Sequence, residues 1–484
     1  MAIRIGIDFG TTNCAIGRVK VDGGVSTQGP IPSTMAWRNG EYFFGKKALE
    51  MLRSDDQGIH PIREVKTRLG SSDIRIGRDR IPSIEAAAKL IDHVCGRVQG
   101  AGNVSQCVMA TPISSSLDHR KALRESCRQA GIEDMRIVYE PTAALIGAEG
   151  QSMFEGRHTV LVVDWGGGTL DLSVIRTREG AFEEIAVGGD NFELGGGRID
   201  EEIAKRILSR HEDVAEHLDR LEGGFDRLKF QIEREKIDVV EDPDGEEGGA
   251  LPIALSWLSN AVVEMDSAEV FAVFRDFADR AVRLIADVLK SNNLTKHEIT
   301  HVAFAGGTCN CSVVRDIIME YLDGSRAILS TNSQILTGEG CTYLVARKFL
   351  VELSRGFGFR QVDDSVCVLL PAHHPVEQDS YRQVECLVVD TLAAEAVIEC
   401  GLVAPSVRSS DALLQSDAGF YPLGTVYVAC GDSSGPGSGA ERVVLFAGID
   451  RNLAATIYAK ARKSGKSDLK SLTKLPLIIR YAEQ

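Results

Sequence analysis

Two stretches of this chain end an apolar run on a carboxylate and follow it at once with glycine and hydroxyl groups. The first is Ile3-Arg-Ile-Gly-Ile7-Asp8-Phe-Gly10-Thr11-Thr12. The second is Val160-Leu-Val-Val-Asp164-Trp-Gly166-Gly167-Gly168-Thr169-Leu-Asp171-Leu-Ser173. The β-branched residues before each aspartate read as a buried strand. Glycine in the turn lets backbone N–H groups line a phosphate with no Cβ in the way. A carboxylate at the strand end then stands where a Mg²⁺ accompanying that phosphate needs a hard oxygen ligand. Either stretch alone also reads as a plain tight hairpin. The repeated order of strand, Asp, bulky residue, Gly and hydroxyl implies two hairpins clamping one nucleotide from opposite sides.

At 484 residues the chain exceeds what one core supports, so two or more domains are expected. A content of 44% hydrophobic and 25% charged residues is ordinary for a globular protein. The formal net charge of −15 argues against nucleic-acid or anionic-membrane partners. No apolar run has the length of a membrane helix, and Met1-Ala-Ile-Arg leads into a strand, not a signal peptide. The 11 cysteines, several in expected strands and helices (Cys107, Cys127), suit free thiols of a reducing compartment, and a cytoplasmic location is expected. Cys309-x-Cys311 has no second Cys or His pair at ligand spacing and reads as free thiols.

The elements that must position the two clamps alternate between strand and helix. After a first hairpin over Ile3–Gly17, short strands flank Asn39-Gly40 and a helix covers Lys46–Arg53. Helices are expected at Pro82–Val98, Ser116–Ala130 and from Glu140, the second closed by Gly131. Strands are expected at Gln106–Pro112 and Arg136–Val138. Beyond the Val160 hairpin, Phe182–Val187 is a partner strand and Gly195-Gly196-Gly197 opens a helix to about Arg210. Helices follow at Phe225–Ile237, Ser267–Ser291, Val313–Tyr321 and Gly338–Leu353, with a strand at His301–Ala305 running into Gly306-Gly307-Thr308. The Glu241–Gly249 charge run and Gly435-Pro-Gly-Ser-Gly read as solvated loops, as does basic Lys460–Lys474. From Ser354 the texture is β, with strands separated by Pro, Gly, Asp and Ser clusters. The fold class is therefore α/β followed by a small all-β domain.

The motifs taken in order resemble the seventy-kilodalton heat-shock chaperones of the actin-like ATPase superfamily. Ile7-Asp8-Phe-Gly10-Thr11-Thr12-Asn13 is similar to the first phosphate motif, Tyr139-Glu140-Pro141-Thr142-Ala143-Ala144 to the connecting motif, and Asp164–Asp171 to the second phosphate motif. The resemblance implies a two-lobed, ribonuclease H-like ATPase domain over residues 1–353, with lobe I about 1–158 and lobe II about 159–353. Residues 354–484 then resemble the peptide-binding β-sandwich. ATP or ADP with Mg²⁺, and K⁺ as a further candidate ion, is the implied cofactor set. Asp8 and Asp164 would hold the metal through its waters. Gly10, Thr11, Thr12, Asn13 and Gly166, Gly167, Gly168 and Thr169 would cradle the phosphates. Lys66 resembles the family's catalytic lysine, with Glu140, Asp171 and Thr169 beside it. Gly195, Gly196, Gly197, Glu233, Lys236, Gly306, Gly307, Thr308 and Asn310 would contact the rest of the nucleotide. Pro112 and Arg120 match the family's interdomain relay, and Arg136 lies where a J-domain co-chaperone meets it.

The departures are specific. Asn310 and Ser312 stand where the family has an arginine and a proline, Val240 where a serine touches the base, and Gln334 where an aspartate is common. The leucine-rich linker is reduced to Leu353-Ser-Arg-Gly, and no helical lid follows before Gln484, which implies an open groove and fast peptide release. Three classes of function follow: an ATPase chaperone for unfolded or specific client segments, with co-chaperone and exchange-factor partners; a nucleotide-dependent adaptor with little or no hydrolysis; and a small-molecule kinase, which Glu140 and the Lys66 setting count against.

Overall fold

The computed structural model describes residues 3–482 apart from 53–57, 78, 99–102, 154–155, 179, 191–192, 221–223, 242–248, 256–257, 259–260, 331, 362, 377–379, 390–394, 409–418, 430–440 and 463–464. The expected loops after Glu241 and around Gly435 lie outside the described residues. The chain divides into two units, Met1–Val174 with Gly188–Arg347, and Ile175–Val187 with Lys348–Gln484.

The first unit opens with β1 (Ile3–Asp8), β2 (Asn13–Val19) and β3 (Val25–Pro32), an antiparallel meander in which Asp8 pairs with Ala15. A small sheet follows from β4 (Met35–Arg38), β5 (Glu41–Phe44) and β6 (His60–Ile62), with α1 (Gly45–Leu52) between the last two. The hairpin β7 (Ile74–Ile76) and β8 (Asp79–Ile81) leads to α2 (Ser83–Cys95), opened by Pro82. Then come β9 (Val104–Thr111), α3 (Leu117–Gln129), β10 (Met135–Tyr139) and α4 (Glu140–Gly150). The Ser116 hydroxyl caps α3 by accepting from His119 N–H at 3.1 Å, and Gly131 takes the positive φ of 81° that ends it. β9 and β10 add to β1 in parallel, giving the order β10-β9-β1-β2-β3.

The second half of this unit starts with β11 (Thr159–Trp165) and β12 (Leu170–Arg178); the division from the second unit falls inside β12. After β13 (Ala181–Gly189) come α5 (Gly196–Leu208), α6 (Glu212–Asp219) and α7 (Gly224–Glu241). The hairpin β14 (Ala250–Leu255) and β15 (Ala261–Asp266) precedes α8 (Ser267–Ser291), which Asp266 caps through Ala268 N–H at 2.8 Å. β16 (His301–Ala305), α9 (Ser312–Tyr321), β17 (Arg326–Ile328) and α10 (Leu336–Arg347) complete it. β16 runs parallel to β11, with Asp164 beside Ala305, and β17 extends the row. The apolar stripe of α8, from Val270 through Phe274 to Ile285, is buried as its 3.6-residue period requires. The expected α/β alternation is present, whereas α6 and the β14–β15 hairpin carried no clear pattern in the sequence.

Two helices meet backbone to backbone beneath the strands. A Cβ on Gly340 of α10 would stand 1.7 Å from the Ala143 carbonyl oxygen of α4, and one on Gly147 would stand 2.2 Å from Leu336 O. Gly6 on β1 likewise leaves no room beside Thr342 N, at 2.2 Å. Glycine at these positions is what lets α4, α10 and β1 approach so closely.

The helix expected over Gly338–Leu353 is corrected: it stops at Arg347, Lys348 takes φ 57°, and Phe349–Leu353 is β18. Phe349, Val351 and Leu353 are buried while Leu350 is exposed, a period of two that a strand satisfies and a helix does not. In the second unit β18 pairs with β27 (Leu477–Tyr481), which also pairs with β13. Between them run β19 (Gly356–Arg360), β20 (Val366–Leu370), β21 (Ser380–Val389), β22 (Glu395–Val403), β23 (Phe420–Ala429), β24 (Glu441–Ile449), β25 (Ala455–Ala461) and β26 (Ser467–Leu472). They form two four-stranded sheets, β20-β19-β22-β23 and β21-β24-β25-β26, with antiparallel neighbours throughout. The basic stretch read as loop contains β26, an edge strand on which Ser467, Leu469 and Lys470 are exposed. Among the described residues no helix is long and apolar enough to cross a membrane.

Candidate functional site

The two acid-terminated strands deliver their turns to one cleft in the first unit. Asp8, Gly10, Thr11, Thr12 and Asn13 line it from one side, and Asp164, Gly166, Gly167, Gly168 and Thr169 from the other. The turns nearly touch: a Cβ on Gly167 would stand 2.1 Å from Thr12 Oγ1, and one on Gly168 2.4 Å from Thr11 Oγ1. Gly196, Gly306, Gly307, Thr308 and Asn310 continue the lining. Gly306 holds φ 81° with Trp165 O where a Cβ would be, at 2.4 Å. Gly195 and Gly197 lie outside this cleft; Gly197 lines a smaller pocket beside it with Arg63, Glu64 and Lys229.

Charge in the cleft is strongly one-sided. Lys66 and Glu140 form a buried ion pair, and Asp8, Asp164 and Asp171 surround it. Burial pushes Asp8 up to about 7 against the pull of Lys66. Asp164 is raised well above the carboxylate range by burial and then by the charges of Glu140, Asp8 and Asp171. Burial works to lower Lys66, yet Glu140 and Asp8 keep it above its ordinary value. Around Lys66, the four acidic groups Asp8, Glu140, Asp164 and Asp171 face one cation, an imbalance that a divalent cation would relieve. Among the described residues no three Asp, Glu, His or Cys side chains cluster tightly enough to chelate an ion alone. Asp8 and Asp164 could hold Mg²⁺, an ion that keeps several waters and takes further oxygens from a phosphate.

Asp171 behaves differently from its neighbours. It does not line the cleft; its Oδ1 accepts Ile113 N–H at 2.8 Å and Ser114 N–H at 3.4 Å. It is fully buried, and burial with the Glu140 charge raises it to about 7. Arg120 donates to Ile113 O at 3.0 Å and to Ser115 Oγ at 2.9 Å, so the Pro112–Ser115 turn is tied to both Asp171 and α3.

At the far end of the cleft Ile237, Val240 and Phe274 form an apolar wall. Lys236 pairs with Asp200 at 2.7 Å and Glu233 with Arg63. The Asn310 side-chain oxygen accepts from Ser333 Oγ at 2.8 Å, and Asn13 Nδ2 donates to Gln334 Oε1 at 3.2 Å. Sequence reasoning missed Arg63, Asp200, Phe274, Ser333 and Thr337, whose hydroxyl reaches Asp164 Oδ2 at 3.4 Å. Phe274 belongs to the apolar stripe of α8, and periodicity does not separate a core residue from a pocket wall. Cys309 and Cys311 are buried, and the Cys309 thiol donates to the Val163 carbonyl oxygen at 3.6 Å.

A family described as Hsp70 protein matches residues 85–334, just over half of the chain. The chain belongs to the Hsp70 family. Three curated chaperone proteins DnaK are similar to it over 66% of its length: 27% identical in Mycoplasmopsis synoviae, 26% in Mycoplasma mobile and 28% in Mesomycoplasma hyopneumoniae. The matched region covers 54% of each, so the chain spans about half the length of the relatives it matches. The Hsp70 match runs through α4, the Gly166–Thr169 turn and the end of the cleft lined by Val240, Phe274 and Asn310. The mixed α/β architecture fits an Hsp70 actin-like nucleotide domain.

Proposed function

We propose that this Hsp70-family chain binds ATP or ADP with Mg²⁺ in the cleft and hydrolyses ATP slowly. The observation that carries this reading is the convergence of the Asp8 and Asp164 turns on one cleft that also holds the Lys66–Glu140 pair. Asp8 and Asp164 would hold the metal, and the donor set fits it: buried carboxylates with raised affinity for protons gain most from a cation. Bound Mg²⁺ would neutralise phosphate charge. Thr11, Thr12 and the glycine amides would orient the phosphates, and Lys66 would place the attacking water. Phosphoryl transfer depends on such positioning more than on covalent chemistry.

The nucleotide state would be coupled to client polypeptide binding by the C-terminal β-strands, read as a sandwich over residues 354–484, with co-chaperone and exchange-factor partners. The asparagine and valine at the base end favour weaker discrimination of the base than an arginine cover would give. ATP turnover measured with and without a panel of unfolded peptides tests the reading. Stimulation by many peptides supports a chaperone. Tight binding without turnover supports the adaptor, and absence of nucleotide binding overturns both.

A further inference from the structure

The carboxylate of the second phosphate turn is followed by Trp165, and its indole is wholly buried. Its Nε1–H donates to the Leu194 carbonyl oxygen at 2.6 Å. The N–H of the same residue, Leu194, is held by Asp190 Oδ2, which also accepts from Glu193 N–H at 2.6 Å. Both peptide groups of Leu194 are therefore fixed just before Gly195-Gly196-Gly197. The next two amides are spent on the phosphate turn: Gly196 N–H donates to Gly166 O at 3.0 Å and Gly197 N–H to Gly167 O at 2.8 Å. Thr308 Oγ1 adds a second bond to Gly166 O at 3.3 Å.

These bonds set the direction of peptide groups in the turn. In a trans peptide the C=O and the following N–H point in opposite directions. Pinning the carbonyls of Gly166 and Gly167 toward the α5 loop thus aims the N–H groups of Gly167 and Gly168 the other way. The Thr12 and Thr11 hydroxyls stand where Cβ atoms of Gly167 and Gly168 would be, so both turns face the same narrow space.

We propose that Trp165 is a positioning residue: its indole N–H, through Leu194 and the Gly196–Gly197 amides, aims the Gly167 and Gly168 N–H groups at bound phosphate. The proposal rests on the nucleotide reading and assigns a residue within it. Its ligand chemistry is the di- or triphosphate, not the nucleoside.

The test compares ADP, ATP and adenosine binding to wild-type protein and Trp165→Phe by calorimetry. Phenylalanine keeps an aromatic filler but leaves the buried Leu194 carbonyl without its donor, so the turn must be ordered when phosphate binds, at roughly 1.4 kcal/mol or ~10-fold in affinity. The expected result is about tenfold weaker ADP and ATP binding with adenosine unchanged. A second protein with benzothienylalanine at 165, which keeps the bicyclic shape and lacks only the N–H, should show the same split. Wild-type ADP affinity in either protein overturns the proposal, as does equal weakening of ADP and adenosine, which marks general loosening. Wild-type protein that binds no ADP overturns the nucleotide reading, and this one with it.

Discussion

Lys66 and Glu140, 74 residues apart in sequence, form an ion pair sealed inside the cleft, with side chains 5% and 9% exposed. Lys66 lies in a turn after β6 and Glu140 is the first residue of α4, where a carboxylate also favours the helix dipole. The pair is further fixed by His119, whose Nε2 meets the Lys66 carbonyl oxygen at 2.9 Å.

A charge buried with its partner is costly to leave alone. Lys66→Met or Glu140→Gln alone should destabilise the protein by about 3–5 kcal/mol, and the double variant by less than the sum. Urea unfolding of the four proteins measures the coupling. Additive losses would show that the pair does not act as a unit.

Lys66→Ala should also lower single-turnover ATP hydrolysis at least ~100-fold while ADP affinity changes little, because positioning is lost and the phosphate turns are kept. Unchanged turnover would remove Lys66 from the proposed mechanism.

The contact of α4 with α10 gives a prediction of a different kind. At Gly340 the obstructing atom is a backbone carbonyl of Ala143, which has no rotamer to move into. Gly340→Ala must push the helices apart and should cost several kcal/mol, on the scale of about 1–3 for overpacking or more. Thermal unfolding reads it directly. A loss under 1 kcal/mol would mean that the helices part easily.

How much of this was legible beforehand follows from where the determining forces act. Asp8, Asp164 and the glycine turns could be read because local backbone rules place a carboxylate at a strand end and glycine in a tight turn. The helix starts at Ser116 and Pro141 obeyed capping rules for the same reason. Arg63, Asp200 and Thr337 were not legible, since each matters only through a partner far along the chain. Phe349–Leu353 was misread because α10 and β18 join with one residue between, and the left-handed turn at Lys348 has no glycine to mark it. The pairing of β27 with β13 was not legible, because it joins residues nearly 300 positions apart.

His119 makes the acid side of the stability curve testable. It is buried, and burial first, then the Lys66 charge, lowers its pKa from 6.5 to about 4. The native state therefore holds a neutral ring where the unfolded chain takes up a proton. The stability this gives is complete above pH 6.5 and is lost as pH falls toward 4, at up to about 1.4 kcal/mol per pH unit. Asp8 and Asp171, raised to about 7, act in the opposite sense: their contribution is present below the usual carboxylate range and is lost as pH rises through 7. They are common to wild type and His119→Gln, so the difference between the two proteins isolates the imidazole. Glutamine never ionises and can still donate to Lys66 O. The stability advantage of wild type over His119→Gln should be largest near pH 7.5 and shrink steadily to pH 5. Parallel unfolding curves across that range would show that the ring is not held neutral by the fold.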